Sequence, residues 1–154
     1  KTVYGGVANR FGMHVASGNL ESLARFTTVN SSITTPWTFS DGQWHLATVT
    51  FHRTGNMTLY ADGIQRAALS ISVYSNVDMN AAYKFWIGTY GNNSGTAPQP
   101  GYYFPGWIDE SSMMTVAASS NWVWASWASQ AANQTFCTFG PATRIPRGSV
   151  FSFR

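Results

Sequence analysis

At 154 residues the chain has the length of one domain, and a domain of that size buries about two-thirds of its unfolded surface without needing a disulfide or a metal. Its residues are 44% hydrophobic and only 10% charged, against about 25% charged in ordinary soluble proteins; disorder is excluded, and Ser, Thr, Asn and Gly carry the polar surface, as in secreted and cell-surface β-proteins. The net charge of +3 comes from scattered cations, with Lys1, Arg144, Arg147 and Arg154 at the chain ends, which is not the clustered basic face of a nucleic-acid binder.

The chain starts at Lys1-Thr2-Val3 with no signal peptide, as expected of a mature or trimmed form, and no apolar run reaches the roughly 18 residues of a membrane span. The first clear periodicity is Phe11, Met13 and Val15 alternating with Gly12, His14 and Ala16, a half-buried strand. Ser17-Gly18-Asn19 then signals a turn. A second strand is expected over Trp44–His52, with His45, Ala47, Val49 and Phe51 on one face. Arg53-Thr54-Gly55-Asn56 reads as a hairpin into a third strand, Asn56–Asp62, where Met57, Leu59 and Ala61 share one face and Tyr60 covers the other. Asp62-Gly63 reads as the next hairpin, with Gly63 supplying positive φ. His45 is in phase with the apolar set and is expected to be a hydrogen-bonded structural histidine at the sandwich rim.

Lys84–Tyr90 is expected to be a further strand, with Phe85 and Ile87 on one face and Trp86 opposite. Gly91–Gly101 (GNNSGTAPQPG) is the longest aperiodic stretch, a candidate functional loop flanked by Tyr90, Tyr102 and Tyr103. Asp109 and Glu110, adjacent on an expected strand, should point to opposite faces. One helix is expected near residues 120–131, capped by Ser119, Ser120 or Asn121, with Trp124, Trp127, Ala128 and Ala131 forming its buried stripe. Cys137, the single cysteine, rules out an intrachain disulfide and reads as a small buried hydrophobe. From residue 141 onward the composition shifts, suggesting a linker, a closing strand or a non-native tail.

Four segments in register carry a resemblance. Asp41-Gly-Gln-Trp-His-Leu-Ala-Thr-Val-Thr-Phe, Asn56-Met-Thr-Leu-Tyr-Ala-Asp-Gly, Phe85-Trp-Ile-Gly and Phe104-Pro-Gly-Trp-Ile-Asp-Glu are similar to successive strands of laminin-G-like domains of the concanavalin A-like jelly-roll class. Trp122–Gly140 resembles a tail that follows such domains in large bacterial extracellular proteins. The resemblance implies an all-β antiparallel sandwich over residues 1–140. It also implies an extracellular or cell-surface location, and Ca²⁺ as a cofactor, with Asp41, Asp62, Asp109 and Glu110 the matching acids and Asp109 the first choice of metal ligand. Such domains open with a core strand ahead of the segment that Phe11–Ala16 resembles, and Lys1–Asn9 contains none. The gap is therefore expected to be filled by Val150–Phe153, by a neighbouring subunit through intermolecular strand pairing, or by sequence outside the chain.

The same jelly roll carries glycoside hydrolases, whose two carboxylates stand about 5–5.5 Å apart for retention or roughly 6.5–9.5 Å for inversion. The six acids, Glu21, Asp41, Asp62, Asp78, Asp109 and Glu110, include no E-x-D-x-x-E pattern, and His14, His45 and His52 lack zinc-ligand spacing. The expectation is a non-catalytic module that binds a glycan or another surface protein, with neither nucleic acid nor membrane as partner. Seven Trp, seven Tyr and ten Phe exceed what the core requires. Trp86, Tyr90, Asn92, Asn93, Tyr102, Tyr103 and Trp107 are the candidate ligand contacts, the rings stacking on sugar and the amides meeting hydroxyls. The alternatives are a self-assembling structural subunit of a surface or filamentous protein, and a glycoside hydrolase.

Overall fold

The computed structural model describes residues 10–26, 29–79, 84–91 and 96–136. Asn92, Asn93, Cys137 and the segment 141–154, including Val150–Phe153, lie outside the described residues, as does Lys1–Asn9.

Strands β1 (Arg10–Ala16), β2 (Asn19–Phe26) and β3 (Val29–Thr38) form one antiparallel sheet in that order, and β4 (Ala47–Phe51), β5 (Asn56–Ala61) and β6 (Ile64–Ser70) a second. Two of the connections that fix register among the described residues are two-residue loops. Ser17 and Gly18 (φ 50° and 81°) join β1 to β2, and Asp62 and Gly63 (φ 52° and 75°) join β5 to β6. Positive φ at both central residues is the twist that lets a right-handed strand pair reverse without splaying. The β4–β5 hairpin closes through Gly55 N donating to His52 O at 2.8 Å.

The sheets face one another, making a β-sandwich. Along β2 burial alternates strictly, with Leu20, Ser22, Ala24 and Phe26 inward. Ala24 and Phe26 join Met57 of β5 and Ile71 in the core, with Ile33, Val49, Phe51, Leu69 and Tyr74 packed around them. Each such large side chain contributes about 1.5–3 kcal/mol by leaving water. The polar residue of β2 on that face is satisfied: Ser22 Oγ lies 3.1 Å from Gly12 O and 3.4 Å from Met57 Sδ. Pro36 enters β3 where the ladder to β2 shifts between Asn19 and Glu21. The buried Thr35 hydroxyl, 3.2 Å from Leu20 O, donates where the regular pairing is lost. Arg53 gathers the carbonyls of Tyr74 and Val77 through Nη2 at 2.7 and 2.6 Å, fixing the 3-10 turn Ser72–Tyr74 whose Tyr74 ring stacks on Phe26 at 4.5 Å.

A short ribbon, β7 (Thr89–Gly91) with β8 (Pro98–Tyr103), follows, then α1 (Ser120–Ala131) and the single turn α2 (Asn133–Phe136). Ser119 is the cap, its Oγ accepting from Trp122 N at 3.2 Å. The buried residues of α1 are Val123 and Ala128, and Trp127 lies against Gly63. Trp124 and Ala131, expected on the buried stripe, are exposed instead; the Trp124 ring turns to Phe136 at 5.7 Å.

Several expectations are corrected. Tyr60 does not cover an outer face but is 5% exposed, because β5 is the central strand of its sheet and α1 packs against the β6 hairpin beside it. In β4 the expected set packs against the core through Val49 and Phe51, while Thr50 on the other face is buried as well, and Trp44–Leu46 precede the strand. Of Lys84–Tyr90 only Thr89 and Tyr90 enter a strand, since Gly88 at φ 75° turns the chain first; Phe85 and Ile87 are 51% and 56% exposed. The expected aperiodic loop is shorter than read, because Pro98–Gly101 belong to β8. The segment Phe104–Ile108 forms no strand, and Glu110 takes φ 47°, so Asp109 and Glu110 are not opposed on a ladder.

Candidate ligand-binding face

Counting outward from the Ser17-Gly18 turn, Ala16 faces Asn19, Val15 faces Leu20 and His14 faces Glu21. His14 and Glu21 are thus direct cross-strand neighbours, on the side of the sheet away from the buried Leu20, Ser22 and Ala24. His14 Nε2 stands 3.4 Å from Glu21 Oε2. Burial lowers the His14 pKa below its usual value, and the charge of Glu21 and its hydrogen bond offset that only in part. The imidazole is therefore neutral at physiological pH.

The β7–β8 ribbon brings tyrosines to this pair. The Tyr90 ring lies 5.7 Å from the His14 ring, and Tyr102 lies 5.5 Å from Tyr90 in an edge-to-face arrangement. The result is a row of three rings, His14, Tyr90 and Tyr102, that starts in a half-buried position and ends with Tyr102 48% exposed. Because side chains alternate along a strand, Tyr103 leaves the opposite face of β8; it pairs with Thr89 and is 62% exposed. The two adjacent tyrosines, read from sequence as one site, belong to different faces.

The other candidates do not join this row through any ring contact or hydrogen bond found among the described residues. Trp86 is half-buried, and its buried Nε1 has no hydrogen-bond partner among the described residues. Trp107 projects at 84% exposure from the segment after β8. Asp109 Oδ1 accepts from Glu110 N at 2.8 Å, and among the described residues no three metal-ligating side chains gather.

Asp41 and Asp62, two further acids of the expected calcium set, are drawn together by a histidine. Asp62 Oδ2 is 2.8 Å from His45 Nδ1, Asp41 Oδ1 is 3.0 Å from His45 Nε2, and Asp62 Oδ1 accepts from Leu46 N at 2.9 Å. The Asp41 carboxylate also takes Gln43 N at 2.9 Å. Burial works to lower the His45 pKa, yet the hydrogen bonds and charges of Asp62 and Asp41 together raise it. Asp41 is held below its usual value, first by the Gln43 amide and then by His45. The expected structural role of His45 fits this clasp, which closes the loop carrying exposed Trp44 onto the β5–β6 turn. Beside it, the Arg66 guanidinium lies 3.7 Å from the Trp37 ring centroid, within cation–π range.

Sequence reasoning passed over His14 and Glu21, although the two-residue turn at Ser17-Gly18 already set their pairing. What it lacked was the placement of β7 and β8 beside them, a non-local fact.

No curated protein sequence matches the chain. Among solved structures, it is similar to an S-layer domain-containing protein (residues 221–444) from Clostridium thermocellum, at 15% identity and a TM-score of 0.47, covering 79% of this chain and 64% of that one; the chain thus spans a little under two-thirds of that relative's length. The match to a protein family extends over residues 2–124, all of the strands described above and well over half the chain, and by it the chain belongs to the concanavalin A-like lectin/glucanases superfamily.

Proposed function

We propose that the chain is a non-catalytic extracellular recognition module that holds a carbohydrate ring against the Tyr90–Tyr102 pair. The observation that carries this reading is the tyrosine row itself, partly exposed and bordered by the acceptor groups of Glu21. A sugar presents an apolar face of C–H groups to an aromatic plate and hydroxyls at its rim, and sites of this kind combine few polar groups with such plates.

A non-catalytic role is supported by the engagement of both His45 nitrogens with carboxylates, which leaves neither to activate a nucleophile. The sequence also lacks the E-x-D-x-x-E strand of the hydrolases that share this jelly roll. The charge-poor surface and the family resemblance support an extracellular setting, and among the described residues no helix is long and apolar enough to cross a membrane.

Glycan-array screening followed by calorimetry tests the reading. Tyr102→Ala should weaken binding about tenfold, equivalent to roughly 1.4 kcal/mol, while Tyr103→Ala, on the other face, should leave it within about twofold. Equal effects of the two substitutions, or none from Tyr102→Ala, would overturn it. A second reading, a subunit that assembles with other surface chains, is favoured by the exposed Trp107, Met113 and Val116 after β8; a concentration-dependent mass in light scattering would support it, and a monomer at all concentrations would count against it.

A further inference from the structure

Resting on the carbohydrate reading, we infer that the ligand is a neutral sugar and that Glu21 makes the site reject acidic ones. The groups that β1 and β2 place beside the tyrosine row are His14 and Glu21. Glu21 offers only acceptors, which suit the O–H groups of a ring. His14 brings no compensating positive charge, since burial holds it neutral. A carboxylate or sulfate on the sugar would therefore sit beside an uncompensated carboxylate.

The same sheet face does hold cations, and distance decides whether they matter. Arg10 and Arg25 are cross-strand partners four residues further along their strands from His14 and Glu21. Four residues of extended backbone span about 13 Å, so the arginine pair starts well along the strands from the His14–Glu21 pair. An anionic substituent at the His14 end of the row would stand beside Glu21, with the arginine pair set back along the strands. A neutral ring, in contrast, gives Glu21 a hydroxyl proton to accept and keeps its apolar face on the tyrosine.

The experiment uses the full chain with matched pairs of immobilised polysaccharides, each neutral polymer beside its uronate: galactan with polygalacturonate, mannan with polymannuronate, and glucan with polyglucuronate. Binding to at least one neutral member, with its uronate at least tenfold weaker, is the expected result. Glu21→Gln keeps the shape and removes the charge, and should bring the pair to within about twofold. Should that variant fail to fold, the wild-type ratio measured from 0.05 to 0.5 M salt is the second readout; it should shrink as screening grows. A uronate bound as tightly as its neutral partner, or a ratio unmoved by both Glu21→Gln and salt, overturns the inference while leaving the tyrosine site standing. Binding to no member of any pair overturns the inference together with the carbohydrate reading beneath it.

Discussion

Alanine at Gly63 would carry its new methyl group into the helix. The residue sits at φ 75°, and a Cβ there would lie 3.1 Å from Trp127 Cβ, 3.3 Å from Trp127 Cε3 and 3.2 Å from the Cα of Trp124. The last is backbone and cannot rotate away. Two costs follow: holding an L-residue in the left-handed region takes about 1–2 kcal/mol, and forcing a methyl into an occupied contact takes roughly 1–3 kcal/mol more. Gly42 supplies the control, since it has φ 79° with nothing within 4 Å of its would-be Cβ. Gly42→Ala should therefore cost only the first amount. Urea unfolding followed by tryptophan fluorescence measures both; a lower midpoint at unchanged slope reports lost stability rather than a changed unfolded state. The expected difference between the variants is about 1–3 kcal/mol. Equal midpoints for Gly63→Ala and Gly42→Ala would mean that α1 does not rest on the β5–β6 turn.

The His45 clasp predicts a pH dependence. His45 has its folded pKa raised above the ordinary 6.5, so its contribution is complete below about pH 6.5 and is lost as pH rises through the elevated value. Asp41 has its folded pKa lowered from 3.8, so its contribution is present above that and is lost as pH falls through the depressed value. Relative to His45→Gln, the wild-type urea midpoint should fall as pH is raised from 6 to 9, a comparison in which the opposite trend of the lowered His14 cancels; a difference between the two that stays constant over this range would refute the clasp. In the core, Phe26→Ala removes a ring that is 1% exposed and stacked on Tyr74. It should cost about 3–5 kcal/mol, read as a fall in melting temperature; a loss below about 1 kcal/mol would mean that the two sheets do not pack through this residue.

Local rules made the hairpins legible. Asp-Gly between alternating runs demanded a left-handed turn, which is there; Ser17-Gly18 was legible only as a turn signal, and strands β2 and β3 after it were not expected. Ser119 was legible as a cap for the same reason, because its chemistry acts within three residues. Burial inside strands was harder. The alternation around Tyr60 was present, but its consequence depended on which strand became central and where α1 packed. The segments Lys84–Gly88 and Phe104–Ile108 resembled strands, yet Gly88, Pro105 and the left-handed Glu110 interrupt extended backbone there. The site showed the same limit: Tyr90 and Tyr102 were legible as aromatics near one loop, while their meeting with His14 depended on strands far apart in sequence.

Residues 104–119 have a further consequence, for colloidal behaviour. They belong to no strand or helix, and they expose Trp107, Ile108, Met113, Met114 and Val116. Unpaired backbone beside apolar side chains is a template on which copies of a chain add to one another as β-sheet. Three features of this stretch oppose that growth. Pro105 supplies no N–H, the adjacent Asp109 and Glu110 place charge in its middle, and the left-handed backbone at Glu110 bends it out of the extended line that a ladder requires. The most apolar exposed stretch of the described chain can thus meet other molecules through its side chains while resisting the strand-on-strand stacking that leads to fibres.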